Sequence, residues 1–69
     1  MSGWKFVGEF RRGRKAPFTL ECFVAIPNLE EARMAAATKL VGADAITEEP
    51  ISKAELVRRD VKKGEAVFR

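Results

Sequence analysis

Four of the five residues from Arg11 to Lys15 (Arg-Arg-Gly-Arg-Lys) are cationic, a dense local run of like charge. Held together at a turn, such groups repel one another, and an anionic partner relieves the repulsion while displacing counterions. The chemistry that fits is binding of phosphates or of an acidic protein surface. Phe10 and Phe18 flank the run and Trp4 lies further back, so bases could stack beside the cations if a ring faces outward. In the competing structural reading, the charges keep a hairpin from pairing with another sheet edge and the aromatics are core. A second basic set, Arg58, Arg59, Lys62 and Lys63, forms two pairs at a spacing of four, with Glu55 placed to offset Arg59. Bases in a last helical turn also complement the helix dipole, which is reason enough for them to be there. Phe23 falls on the polar phase of its segment, where an exposed aromatic marks a contact surface unless a second helix or the tail covers it. The candidate partner-binding residues are therefore Arg11, Arg12, Arg14, Lys15, Phe23, Arg58, Arg59, Lys62 and Lys63.

Catalysis is argued against by the absence of His, the commonest general base and metal ligand. Cys22 has no His to activate it, and one Cys cannot build a structural zinc site. Glu30-Glu31 and Glu48-Glu49 are neighbours whose side chains diverge rather than converge on one substrate atom. The glycines are too scattered for a phosphate-cradling loop. The expectation is a non-enzymatic protein with no cofactor, no metal site and no small-molecule substrate. A lone Cys and no signal-peptide pattern suggest a cytoplasmic protein. The longest stretch without charge, Cys22 to Leu29, has eight residues, far short of the roughly 20 needed to cross a bilayer.

The elements that must position these groups belong to a chain of 69 residues, 46% of them apolar, with 13 Lys plus Arg against 10 Asp plus Glu. That is one small domain, residues 1–69, burying about 60% of its unfolded surface, so stability is marginal and dimerisation would help. Charge is uneven: +4 over residues 1–20, −4 over 21–52 and +3 over the remainder.

Trp4, Phe6 and Phe10 alternate with Lys5, Glu9 and Arg11, the period of a half-buried strand. Phe18, Leu20, Cys22, Val24 and Ile26 alternate likewise up to Pro27. Joining two even-numbered apolar sets on one face requires an odd loop, and a five-residue loop from Arg11 to Lys15 pairs Phe6 with Leu20. Asn28 followed by Glu31 predicts a helix over residues 29–41 ending near Gly42, with Leu29, Ala32, Ala36 and Leu40 as its stripe. A weak strand is predicted over 44–49. Ser52 with Glu55 starts a second helix over 53–63, closed by Gly64, and Ala66 to Phe68 could add a short strand. The fold expected is α+β in ββαβα order, a small hairpin-based sheet with an Ala-rich helix on one face and a short C-terminal helix at the edge.

Residues Ile51 to Gly64, ISKAELVRRDVKKG, resemble the second helix of ribbon-helix-helix repressors, with a capped start, a Leu-Val core and trailing bases. That resemblance implies a dimer whose paired strands enter the DNA major groove, Phe18 to Val24 being the reading strand with Thr19, Glu21 and Phe23 outward. The leading expectation is instead an interaction protein with a protein partner or a second copy, ahead of nucleic acid. Its basic hairpin tip would meet an acidic patch or phosphates, and its sheet surface would supply apolar contact.

Overall fold

The structure is a computed structural model and describes residues 3–68. The alternating aromatics form β1 (Gly3–Phe10), which turns back into β2 (Phe18–Val24). After α1 (Leu29–Lys39) comes β3 (Ala45–Ile51), then α2 (Lys53–Arg58) and β4 (Ala66–Phe68). The four strands make one antiparallel sheet in the order β3-β1-β2-β4. The expected ββαβα order thus gains a fourth strand. β3 tolerates Pro50 because it is an edge strand, where a missing ladder donor costs least.

Even-numbered residues of β1 and β2 face each other, but the register is two residues from the one the five-residue loop implied. Phe6 lies opposite Cys22, and Phe10 opposite Phe18. The connection is seven residues, 11 to 17. Parity depends only on the loop being odd, so the alternation is satisfied either way. Pro17, which cannot donate to a ladder, stays in the loop, while the Lys15 N–H closes a tight turn on the Arg12 carbonyl at 3.0 Å.

Helices cover both faces of the sheet. On the even face Phe6, Phe10, Cys22 and Val24 pack against Ala32, Ala36 and Leu40 of the α1 segment. Two alanines on the inner stripe let the helix axis approach the strands. Gly8 helps at the far end, where a Cβ would sit 3.0 Å from Leu40 Cδ2. On the odd face Phe23 and Ala25 pack against Leu56 and Val61, with Ile51 and Val67 alongside. The second helix therefore lies across one end of the opposite face rather than at the sheet edge. Among the described residues no helix is long and apolar enough to cross a membrane.

Both helices begin as their caps dictate: Asn28 Oδ1 accepts the Glu31 N–H at 3.0 Å, and Ser52 Oγ accepts that of Glu55 at 3.2 Å. The first helix stops at Lys39, two residues short of the predicted end. The second is much shorter than predicted. It ends at Arg58 because Asp60 adopts a left-handed conformation, φ 56°. The Val61 N–H then reaches back to the Leu56 carbonyl at 2.9 Å, and the Asp60 N–H to that of Val57 at 3.0 Å. This is the Schellman closure, with its usual apolar contact between Leu56 and Val61. Glycine is the residue best suited to the Asp60 position, so Asp60→Gly is expected to raise stability by about 0.5–1 kcal/mol, read from the urea midpoint.

Candidate functional site

The structure treats the four cations of the hairpin unequally. Arg11 is tied to Glu9, with Nε 2.7 Å from Oε1. Its backbone N–H donates to Asp44 Oδ2 at 2.6 Å. Arg12 reaches the Gly42 carbonyl at 2.5 Å and Asp44 at 3.8 Å, and its guanidinium lies over the Phe10 ring at 5.3 Å. These two arginines brace the root of the hairpin against the turn after α1, although both remain exposed. Arg14 and Lys15, further out, take part in no ion pair among the described residues. The basic tip reduces to this pair.

Beside the tip, the outer margin of β2 is apolar and uncovered. Phe18 stacks on buried Phe10, ring centroids 5.1 Å apart and planes at 8°, yet is 45% exposed. Leu20, next on the same face, is 38% exposed, and Phe68, across from Cys22 on β4, is 44% exposed. β4 pairs with β2 only over Cys22–Val24, so no described strand lies beside Phe18, Thr19 and Leu20. Outward alternation had pointed to Phe23 instead. Phe23 is 1% exposed, sealed by α2 and by the Arg59 guanidinium 4.3 Å over its ring. The contact-surface expectation for Phe23 is corrected accordingly: the side it faces is a second core.

The second basic set does not assemble on one helix face. Arg58 is bound to Glu55 at 2.6 and 3.0 Å, and Arg59 lies 3.3 Å from the same carboxylate while covering Phe23. The two arginines draw Glu55 below its ordinary range, the hydrogen bond from Arg58 most strongly. Lys62 and Lys63 lie beyond the helix, in the turn leading to Gly64. The spacing-four pairs expected of a longer helix are therefore absent. β2 is an interior strand and β3 separates the helices, so the strand-helix-helix arrangement implied by the ribbon-helix-helix resemblance is not the one observed.

On the uncovered part of the odd face, Lys5 bridges Glu21 at 2.8 Å and Glu49 at 3.3 Å across three strands. The hydrogen bond to Lys5 lowers the Glu21 pKa, and hydrogen bonds to Glu21 and Glu49 raise that of Lys5. A carboxylate depressed in the folded state contributes stability above its ordinary value of 4.5 and loses it as pH falls through the folded value. Lys5, raised, contributes below 10.5 and loses that contribution as pH rises through its folded value. Glu21→Gln should therefore flatten the acid limb of the stability profile below about pH 4.5. The expected effect at pH 7 is under about 1 kcal/mol, because Glu21 is solvent-screened. Denaturant midpoints between pH 3 and 7 check this, and an acid limb as steep as that of the parent protein contradicts it.

Cys22 is fully buried under α1, and burial pushes its thiol pKa up, so it stays protonated at neutral pH. Among the described residues no three His, Cys, Asp or Glu side chains converge on a point. The chain matches no family model, no curated protein and no solved structure. Leu20 was missed as a contact residue, and Phe18 was raised only as a stacking ring should it face outward, because even phase was equated with burial. Phase carries no signal for this: Phe10, directly opposite Phe18, is buried in the core that α1 closes, so the exposure of Phe18 and Leu20 is set by how far the helix extends across the sheet.

Proposed function

We propose that this protein is a non-catalytic binding module whose partner is another protein, engaged along the outer margin of β2. The observation that carries the reading is the strip Phe18, Leu20 and Phe68, exposed on one face beside a stretch of β2 with no described neighbour. An extended segment laid there in line with β4 gains ladder hydrogen bonds from the backbone and pockets for alternate apolar side chains. Arg14 and Lys15 at the end of the strip favour acidic residues at that end of the segment and accelerate encounter. The absence of His and the burial of the single thiol support a non-enzymatic role. The reduced Cys22 suits a cytoplasmic setting.

Selection of random extended peptides against the full chain tests this reading. Recovered sequences should alternate apolar residues and carry Asp or Glu at one end. Phe18→Ser with Leu20→Ser should weaken their binding at least tenfold, and Arg14→Glu with Lys15→Glu several-fold with reduced salt dependence, at unchanged fold by circular dichroism. Peptide binding indifferent to both double variants would sink the proposal. So would tighter binding to mixed single-stranded DNA, with a log-log salt slope of about −0.7 per phosphate contacted, which would assign the strip to base stacking instead.

A further inference from the structure

On the opposite side of the molecule, between α2 and the segment that follows β2, lies a groove of about 430 Å³. Its floor is Ala25, Leu56 and Val61, buried members of the second core, and Pro27 and the exposed Val57 extend it. Among the described residues, its charged lining residues are Lys53 and Lys63. Neither takes part in an ion pair among the described residues. The two lysines come from opposite ends of the α2 region: Lys53 opens the helix and Lys63 follows the left-handed turn at Asp60.

The walls of the groove are held in place by the backbone. The Ala25 N–H donates to the Glu65 carbonyl at 2.8 Å, and the Gly64 N–H to the Ala25 carbonyl at 2.9 Å. The Val61 N–H is used on Leu56, and the Pro27 carbonyl accepts the Trp4 indole N–H at 3.0 Å. Much of the backbone around the groove is therefore already bonded. A peptide laid there would surrender its amides' water for little return, and each such loss is costly. An alkyl chain carries no such groups, and two uncompensated ammonium groups call for one anionic end. We infer that the groove binds an aliphatic carboxylate, its chain on Ala25, Leu56, Val57 and Val61 and its carboxylate held by Lys53 and Lys63. The volume lies near the low end of ligand sites, roughly 300–1,000 Å³, which suits a single chain rather than a ring-bearing cofactor. This site is on the face opposite Phe18 and Leu20, so it stands or falls independently of the partner strip.

The test is titration of the isotope-labelled full chain with octanoate and decanoate, followed by amide shifts. Saturable shifts are expected at Ala25, Leu56, Val57 and Val61, with affinity rising by up to about fourfold per added methylene. Decanol, with the same chain and no charge, should bind at least fivefold more weakly. Lys53→Gln with Lys63→Gln should bring decanoate down to the decanol level, while Lys15→Gln leaves it unchanged. Val57→Asp, at an exposed position that does not hold the core together, should abolish the shifts with the fold intact. Decanoate and decanol binding equally, shifts that never saturate, or shifts centred on Phe18 and Leu20 would each overturn the assignment.

Discussion

Phe6→Ala is expected to remove about 3–5 kcal/mol of folding stability, the range for a large side chain deleted from a packed core. For a domain of this length the whole stability is of order 3–10 kcal/mol, so a substantial unfolded population should appear at 25 °C. Phe6 is 1% exposed and sits at the middle of β1, the strand that pairs on both sides, with Cys22 opposite on β2 and Glu48 opposite on β3. Above it lie Ala32 and Ala36, whose side chains are too short to swing into the space a missing ring leaves. The cavity therefore persists, and the cost belongs at the upper part of the range. Phe18→Ala, on the same face but 45% exposed, should cost only about 1 kcal/mol, mostly its stack on Phe10. Denaturant unfolding followed by far-ultraviolet circular dichroism separates the two. Equal losses for Phe6 and Phe18 would mean that α1 does not close the core as described.

That contrast also shows what the sequence made legible. Period-two alternation identifies β1 and β2 and assigns their even residues to one face, because a strand has no other way to bury half its side chains. It is silent on how far across the sheet the cover extends. Phe6 and Phe18 are indistinguishable by phase, and only the placement of α1 across the sheet, over Phe6 and Phe10 of β1, decides that one is core and the other an exposed strip. Alternation also leaves the register free by steps of two, which is how the loop came to be expected at five residues rather than seven. The error at Phe23 has the same root: treating one phase as polar assumes a two-layer molecule, whereas α2 and the turn that follows it build a third layer beneath it, through Leu56 and Val61. Val67 and Leu56 were the residues that needed a partner there.

Charges were legible as composition and illegible as pairs. The acidic middle of the chain returns through β3 to meet bases distant in sequence: Glu48 takes Arg33 in a two-bond fork at 2.9 and 3.0 Å, Glu49 takes Lys5, and Asp44 takes Arg12. Of the bases without ion-pair partners among the described residues, Arg14, Lys15, Lys39, Lys53, Lys62 and Lys63, two pairs stand at candidate surfaces, Arg14 with Lys15 and Lys53 with Lys63. The first pair borders the β2 strip and the second lines the groove beside α2. No local spacing sets Lys53 and Lys63 on one groove, since Lys63 reaches it through a turn that follows a helix stopping at Arg58 rather than running on to Lys63.

Gly3→Ala should be the second most damaging single change, at about 2–3 kcal/mol, and it acts through the same end of the molecule as the groove. A Cβ at Gly3 would collide with the carbonyl oxygen of Val24 and come within 2.9 Å of Leu56 Cδ1 and 3.2 Å of Ala25 Cα. Two of those three neighbours are backbone, which cannot rotate away, so β1 must lift from β2 or the β2 end must move. Overpacking of this kind costs roughly 1–3 kcal/mol where a side chain can yield, and little here can. Gly8→Ala is the informative comparison, because its nearest neighbour is the flexible Leu40 side chain at 3.0 Å, and a loss of about 1 kcal/mol or less is expected. Gly3→Ala should also shift the amide signals of Ala25, Leu56 and Val61 in the unliganded protein, while Gly8→Ala moves those near Leu40 and leaves the groove as it was. If the two substitutions cost the same, or if Gly3→Ala leaves Leu56 undisturbed, then β1 and α2 do not meet at this glycine, and the groove lacks the rigid floor that ligand binding there requires.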